Sequence, residues 1–197
     1  MGLSLQKGQS LSLKKADGGQ LSKVRLGLGW DSATPAKRGF FGGLKKEADV
    51  DLDASAIFFD ASGTPLDYVW FQQLQSKDGS ARHTGDNLTG AGDGDDETIM
   101  IDLTAVSPSV SQIVFVISSY SRQTFDQVQN AFCRVVDDSS AGSPEVARYQ
   151  LTDSGSHTAM VMAKVSRGAD GWSFTAIGER ANGRAVPDLV GPASQAL

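Results

Sequence analysis

Apolar and polar residues alternate at period two over residues 3–5, 11–13 and 24–28 (VRLGL), as strands with one buried face do. Short apolar or β-branched runs follow at 54–59 (ASAIFF), 68–71 (YVWF), 98–103 (TIMIDL) and 113–118 (IVFVIS). The series continues at 131–136 (AFCRVV), 145–151, 158–165 and 172–177. Between them stand Asp17-Gly18-Gly19, Ser62-Gly63, Asp78-Gly79, Ala141-Gly142 and Asp170-Gly171, which favour tight turns. Many short strands at this spacing predict an all-β sandwich or barrel.

The helix signal is sparse. Thr124 as an N-cap, with Phe125 and Val128 three apart, predicts one short helix or turn over 124–130, and 186–190 predicts a last turn. No segment carries an amphipathic stripe of three turns. Residues 32–48 form a long connection without strand signal, whose aromatic and glycine centre is flanked by Lys37, Arg38, Lys45 and Lys46. That segment reads either as a flexible insertion or as a surface that touches a partner or a membrane. A flexible tail is expected over 191–197, leaving 1–190 as a single domain.

At 197 residues, 40% apolar and 21% charged, the chain is long enough for one sizeable core and short for two. Its apolar runs fall far below the ~20 residues that span a bilayer. The first eight residues lack the apolar stretch of a secretory signal. The single cysteine, Cys133, can make neither an internal disulfide nor a Cys-rich zinc site. The expected location is the cytoplasm.

Charge is concentrated in one place. The chain holds 18 Lys+Arg and 23 Asp+Glu. Residues 86–97 (DNLTGAGDGDDE) contain Asp86, Asp93, Asp95, Asp96 and Glu97 and no base, so outside that segment 18 acids balance 18 bases. Nucleic acid is disfavoured as a partner, since phosphate needs a basic face. A cation is favoured at one site.

The segment is rich in oxygen donors. Asp93, Asp95 and Glu97 recur at every second residue with Asp96 between, and Asn87 and Thr89 add neutral oxygens. Glycines at 85, 90, 92 and 94 let the backbone turn its carbonyls inward. Unpaired carboxylates this close repel one another, and a divalent ion removes that cost. Hard oxygen donors on a flexible loop suit Ca²⁺ with its six to eight ligands better than Mg²⁺, and no His or Cys is present for Zn²⁺. The spacing is not that of an EF-hand, and a calcium β-roll needs tandem copies. A solvated acidic hairpin is the other reading. Asp31, at the end of the 24–30 strand, and Asp53, beside an apolar strand, can complete the shell from outside. Asp49 and Asp51 alternate with Asp53 on one side of DVDLD, and Val50 and Leu52 face the other.

Enzyme signals are weak. No GxSxG, Walker A or dinucleotide fingerprint is present. His83 either steadies a carboxylate of the acidic segment or is a strand-end histidine, and His157, in a Gly-Ser turn, is expected to be exposed. Cys133 alternates with Arg134, and a buried arginine is the rarer case, so Cys133 is expected in the core.

GLGWD (27–31), DLDAS (51–55), DGS-x-x-HTGDNLTGAGDGDDE (78–97) and QNAFCRVVD (129–137) resemble the TerD family of tellurium-resistance and general stress proteins. Within it the chain looks most like the TerZ type, over roughly residues 2–180. The resemblance implies a cytoplasmic antiparallel β-sandwich that binds calcium in adjacent sites, two ions in all. The implied ligands are Asp31, Asp53, Asp86, Asn87, Asp93, Asp95, Asp96 and Glu97. Thr89 and carbonyls of the glycine-rich stretch, at Gly90 and Gly94, complete the candidate set. His83 and Gln72 are candidates for holding ligands in place, Gln72 standing where many members carry Asn. The implied function is a Ca²⁺-dependent binding or adaptor module of a stress-response system, with protein partners in a complex at the inner membrane surface. No nucleic acid and no small-molecule substrate are expected. The alternative is a metal-dependent hydrolase that uses the acidic segment to activate water.

Overall fold

The alternating segments pair into two six-stranded sheets. The computed structural model describes residues 2–15, 17–32, 50–85, 94–152 and 154–197. The 33–49 connection, and Asp49, Asp86, Asn87, Thr89, Gly90 and Asp93, lie outside the described residues. The first sheet runs β1 (Leu3–Leu5), β10 (Glu145–Gln150), β9 (Val128–Asp137), β3 (Lys23–Ser32), β7 (Glu97–Asp102), β6 (Ala81–His83). The second runs β2 (Ser10–Ser12), β12 (Gly171–Ala181), β11 (Ala159–Gly168), β8 (Gln112–Ser119), β4 (Leu52–Phe59), β5 (Pro65–Val69). Neighbours are antiparallel except β1 and β10, which are parallel.

Between the sheets lies the main core. Leu26, Leu28 and Trp30 of β3, Ile99 and Ile101 of β7, and Cys133 and Val135 of β9 pack with Ala54, Ala56 and Phe58 of β4 and Ile113, Phe115 and Ile117 of β8. Each large apolar side chain buried here contributes about 1.5–3 kcal/mol. Val50 and Leu52 join this core, as the alternation of DVDLD requires. Cys133 is buried as expected, and burial, with the Asp95 charge adding to it, pushes its thiol well above the ordinary range.

The other face of the second sheet is covered by α1 (Val186–Gln195). Val186, Leu189 and Ala193 pack onto Ile57 and Phe59 of β4, Val114 and Val116 of β8, and Ala159 and Val161 of β11. Strands β4 and β8 are therefore buried on both faces, and read as apolar runs rather than alternating ones. The expected loose tail from Gly191 is corrected here. Gly191 and Pro192 read as helix breakers, yet the helix continues through them, Ala193 is fully buried, and Lys164 Nζ donates to the Ala196 carbonyl at 2.8 Å.

Other departures from the pattern have local causes. The expected 124–130 helix shrinks to a 3-10 turn over Phe125–Gln127, because Val128 and Gln129 already belong to β9 and pair with β3. His157, expected to be exposed, is buried with its ring stacked on Phe125 at 4.5 Å. The 68–71 run straddles a boundary: β5 ends at Val69, and Trp70 opens a turn closed by paired backbone bonds with Gln73. Strand β6 has too little apolar pattern to announce itself and is formed by pairing with β7.

Candidate functional site

The GLGWD stretch makes a bare shelf on β3. Leu26, Leu28 and Trp30 point into the core, so Gly27 and Gly29 fall on the outer face of the first sheet. The segment 94–96, at the end of the acidic stretch, lies directly on that shelf. A Cβ at Gly27 would overlap the Asp95 carboxylate, and one at Gly29 would overlap the Phe132 ring and stand 2.6 Å from the Gly94 carbonyl oxygen. Glycine inside a strand here marks close approach of another backbone. Asp96 N–H donates to the Leu28 carbonyl at 2.7 Å, and Trp30 N–H donates to Asp96 Oδ2 at 2.9 Å. The indole Nε1 of Trp30 donates to the Val50 carbonyl at 2.8 Å, anchoring the end of β3 to the approach of β4.

Asp31, Gly94 and Asp96 line one groove of about 550 Å³ with Asn130, Phe132 and Arg148. Asp31 is exposed and accepts a hydrogen bond from Asn130 Nδ2 at 2.8 Å. Burial raises the Asp96 carboxyl above its ordinary range; the Trp30 N–H opposes this, and the charges of Asp31 and Asp95 push the same way as burial. Three carboxylates thus crowd one end of the outer face.

Asp95 is engaged differently. Arg134 donates from Nε to Asp95 Oδ1 at 2.6 Å and from Nη2 to Oδ2 at 3.1 Å. The same guanidinium reaches Glu145 at 3.3 Å, Glu145 accepts from Arg148 at 2.8 Å, and Arg148 lies 4.0 Å over the Phe132 ring. Neither Arg134 nor Glu145 stood out in the sequence. The available signals were an outward-facing arginine in a strand and the two glycines of GLGWD, which only pairing with the 94–96 segment explains.

Glu97 and His83 stand elsewhere. Glu97 opens β7 opposite Leu28, and its carboxylate enters the interior, where it accepts the Ala54 N–H of β4 at 2.5 Å. That donor lies beyond Ala56–Val69, where pairing of β4 with β5 ends. His83 Nε2 is 3.3 Å from Glu97 Oε2, and His83 Nδ1 accepts the Gly85 N–H at 3.1 Å. An Nδ1 that accepts leaves the ring proton on Nε2, facing the carboxylate. His83 is fully buried at the end of β6, beside Glu97 but without a hydrogen bond from Nε2 to it. Asp53 is also buried, one residue before Ala54 and opposite Ser118 of β8.

The structure thus separates the described candidates. Asp31, Asp95, Asp96 and Gly94 lie on the outer face of the first sheet, Glu97 and His83 lie in the interior beside Ala54 of β4, and Asp53 falls on the other face of β4, the one that Ile57 and Phe59 share. Gln72 joins neither: it is exposed in the Trp70–Gln73 turn, and its neighbour Gln73 donates instead to Asp67 and to the Tyr68 carbonyl. Among the described residues, no three His, Cys, Asp or Glu side chains are arranged to hold an ion by themselves. Among them, too, no helix is long and apolar enough to cross a membrane.

A family model described as the TerD domain matches residues 1–190. Tellurium resistance protein TerZ of Serratia marcescens is 43% identical over 188 residues, covering 95% of this chain and 94% of that protein. Stress response protein SCP2 of Bacillus subtilis (strain 168) is 40% identical over 200 residues, covering 96% and 98%. A crystal structure of a telluride resistance protein (TerD) homologue from Streptomyces coelicolor A3(2) matches with a TM-score of 0.66 at 24% identity, over 83% of this chain and 92% of that one, a likeness of fold. With a family match along nearly its whole length and relatives of this identity, the chain belongs to the TerD domain family of tellurium-resistance and stress-response proteins.

Proposed function

We propose that this chain is a calcium-binding module of a cytoplasmic stress-response system and acts as a Ca²⁺-dependent adaptor for protein partners. The observation that carries the reading is the crowding of Asp31, Asp95 and Asp96 at one end of the outer face, where burial first, and then the charges of Asp31 and Asp95, raise the Asp96 carboxyl. Such a cluster is costly without a cation and is relieved by one. The donor chemistry fits: the carboxylates and the adjoining carbonyl are hard oxygens, and the described residues that line the groove include no histidine or cysteine. Two ions divide the donors naturally. One takes Asp31 and Asp96 on the outer face and the other draws on Asp53 of β4, with Asp86, Asn87, Thr89, Gly90 and Asp93 supplying the remaining oxygens, while Glu97 is turned inward to the Ala54 N–H.

When bound, calcium neutralises the segment that carries the whole acidic excess of the chain. The protein's own residues hold the near end of that segment in place beforehand, through Trp30, Leu28 and Arg134. A partner that contacts the calcium-loaded surface then binds the loaded form better, by linkage. The test is a thermal melt in chelator and in millimolar Ca²⁺, with calorimetry of binding. A single site at 100 times its Kd adds about 2.7 kcal/mol. Identical melting midpoints would end the calcium reading.

A further inference from the structure

We propose that Arg134 is a positioning residue for the outer-face cation site, an inference that rests on the calcium reading above. Its bidentate grip on Asp95 turns that carboxylate away from the donor set and fixes the backbone from which Asp96 projects. Three contacts hold the 94–96 segment on the glycine shelf: Arg134 to the Asp95 carboxylate, Leu28 carbonyl to Asp96 N–H, and Trp30 N–H to Asp96 Oδ2. The first comes from a strand two places away from β7, so it ties the acidic segment to β9 as well as to β3.

The geometry singles out Arg134 for this task. Two parallel N–H donors match the two carboxylate oxygens, a fit that a lysine cannot reproduce. Asp95 is 7% exposed and Arg134 25%, so the pair is shielded from solvent on the Asp95 side. Glu145 steadies the guanidinium from behind, and Arg148, seated on Phe132, steadies Glu145. The Phe132 ring in turn rests against Gly29, beside the Gly94 carbonyl. The chain of contacts closes on the same shelf from which it started. Asp95 is then the handle by which the fold holds the site, and Asp96 and Asp31 are the donors.

The test compares wild type with Arg134→Lys, Asp95→Asn and the double variant, using Ca²⁺ itself as the probe. Arg134→Lys keeps the charge and loses the fork. Positioning predicts that it weakens Ca²⁺ binding on the order of tenfold, as loss of outer-shell partners does. The Asp95→Asn effect should then largely vanish in the Arg134→Lys background, since both changes break one contact. In chelator, amide exchange at Asp96 and Trp30 should speed up in Arg134→Lys while amides of β8 and β11 stay protected, which separates release of the segment from general unfolding. Wild-type affinity and wild-type exchange in Arg134→Lys would overturn the proposal. So would an Asp95→Asn loss that is fully additive, because Asp95 would then be a ligand. A wild-type chain that shows no heat with Ca²⁺ would instead bring down the calcium reading and this inference with it.

Discussion

His83 and Glu97 face each other across 3.3 Å inside the sandwich, both with fully buried side chains. The pair joins β6 and β7 of one sheet, and Glu97 reaches on to the Ala54 N–H of the other. His83→Ala should leave a space beside the buried Glu97 carboxylate and cost about 1–3 kcal/mol. Chemical denaturation in chelator measures it, and a stability equal to wild type would show that the contact is idle.

Gly27→Ala tests the shelf. The added Cβ overlaps Asp95, so either the segment lifts or the strand shifts. Overpacking of this kind costs about 1–3 kcal/mol. Calorimetry should also show weaker Ca²⁺ binding, because the displaced segment carries Asp96.

Asp31 and Asp53 stand on different sheets, so the calcium reading predicts separable binding events. Asp31→Asn should weaken one Ca²⁺ binding step and Asp53→Asn the other in a two-site calorimetric titration. If both substitutions reduced the same step, all donors would serve a single site.

Asp78 makes acid sensitivity testable. Burial works to raise its carboxyl, but hydrogen bonds from Ser80, Ser107 and Ser76 outweigh that and hold it down from 3.8 to about 2. A folded-state value below the unfolded one adds stability that is present above 3.8 and is lost as pH falls toward about 2. Melts across that window should show a steeper acid decline in wild type than in Asp78→Asn. Parallel curves would mean that the tie between the 76–80 turn and Ser107 contributes nothing.

Deleting residues 191–197 should lower stability by about 2 kcal/mol, since it exposes the surface that Ala193 covers and removes the Lys164 bond to Ala196. A tail without packing would be removed at no cost, and an unchanged melting midpoint would show that.

The sequence by itself determined the β-sandwich, most of its strands and the place where carboxylates gather. Period-two alternation and glycine turns are local, and the acids of 86–97 are consecutive, so their meaning does not depend on distant partners. Tertiary structure decided everything that hangs on contacts between remote segments. Strand β6 exists because β7 pairs with it, and the helix runs through Gly191 and Pro192 because the outer face of the second sheet needs covering. Asp95 and Asp96 are neighbours in the chain with the same charge, yet one is gripped by Arg134, thirty-nine residues away, and the other is held by Trp30, sixty-six residues away. Composition and spacing assign both the same role. Only the approach of β9 and β3 to the segment separates them, because the environment of a carboxylate, rather than its identity, sets which charges it meets.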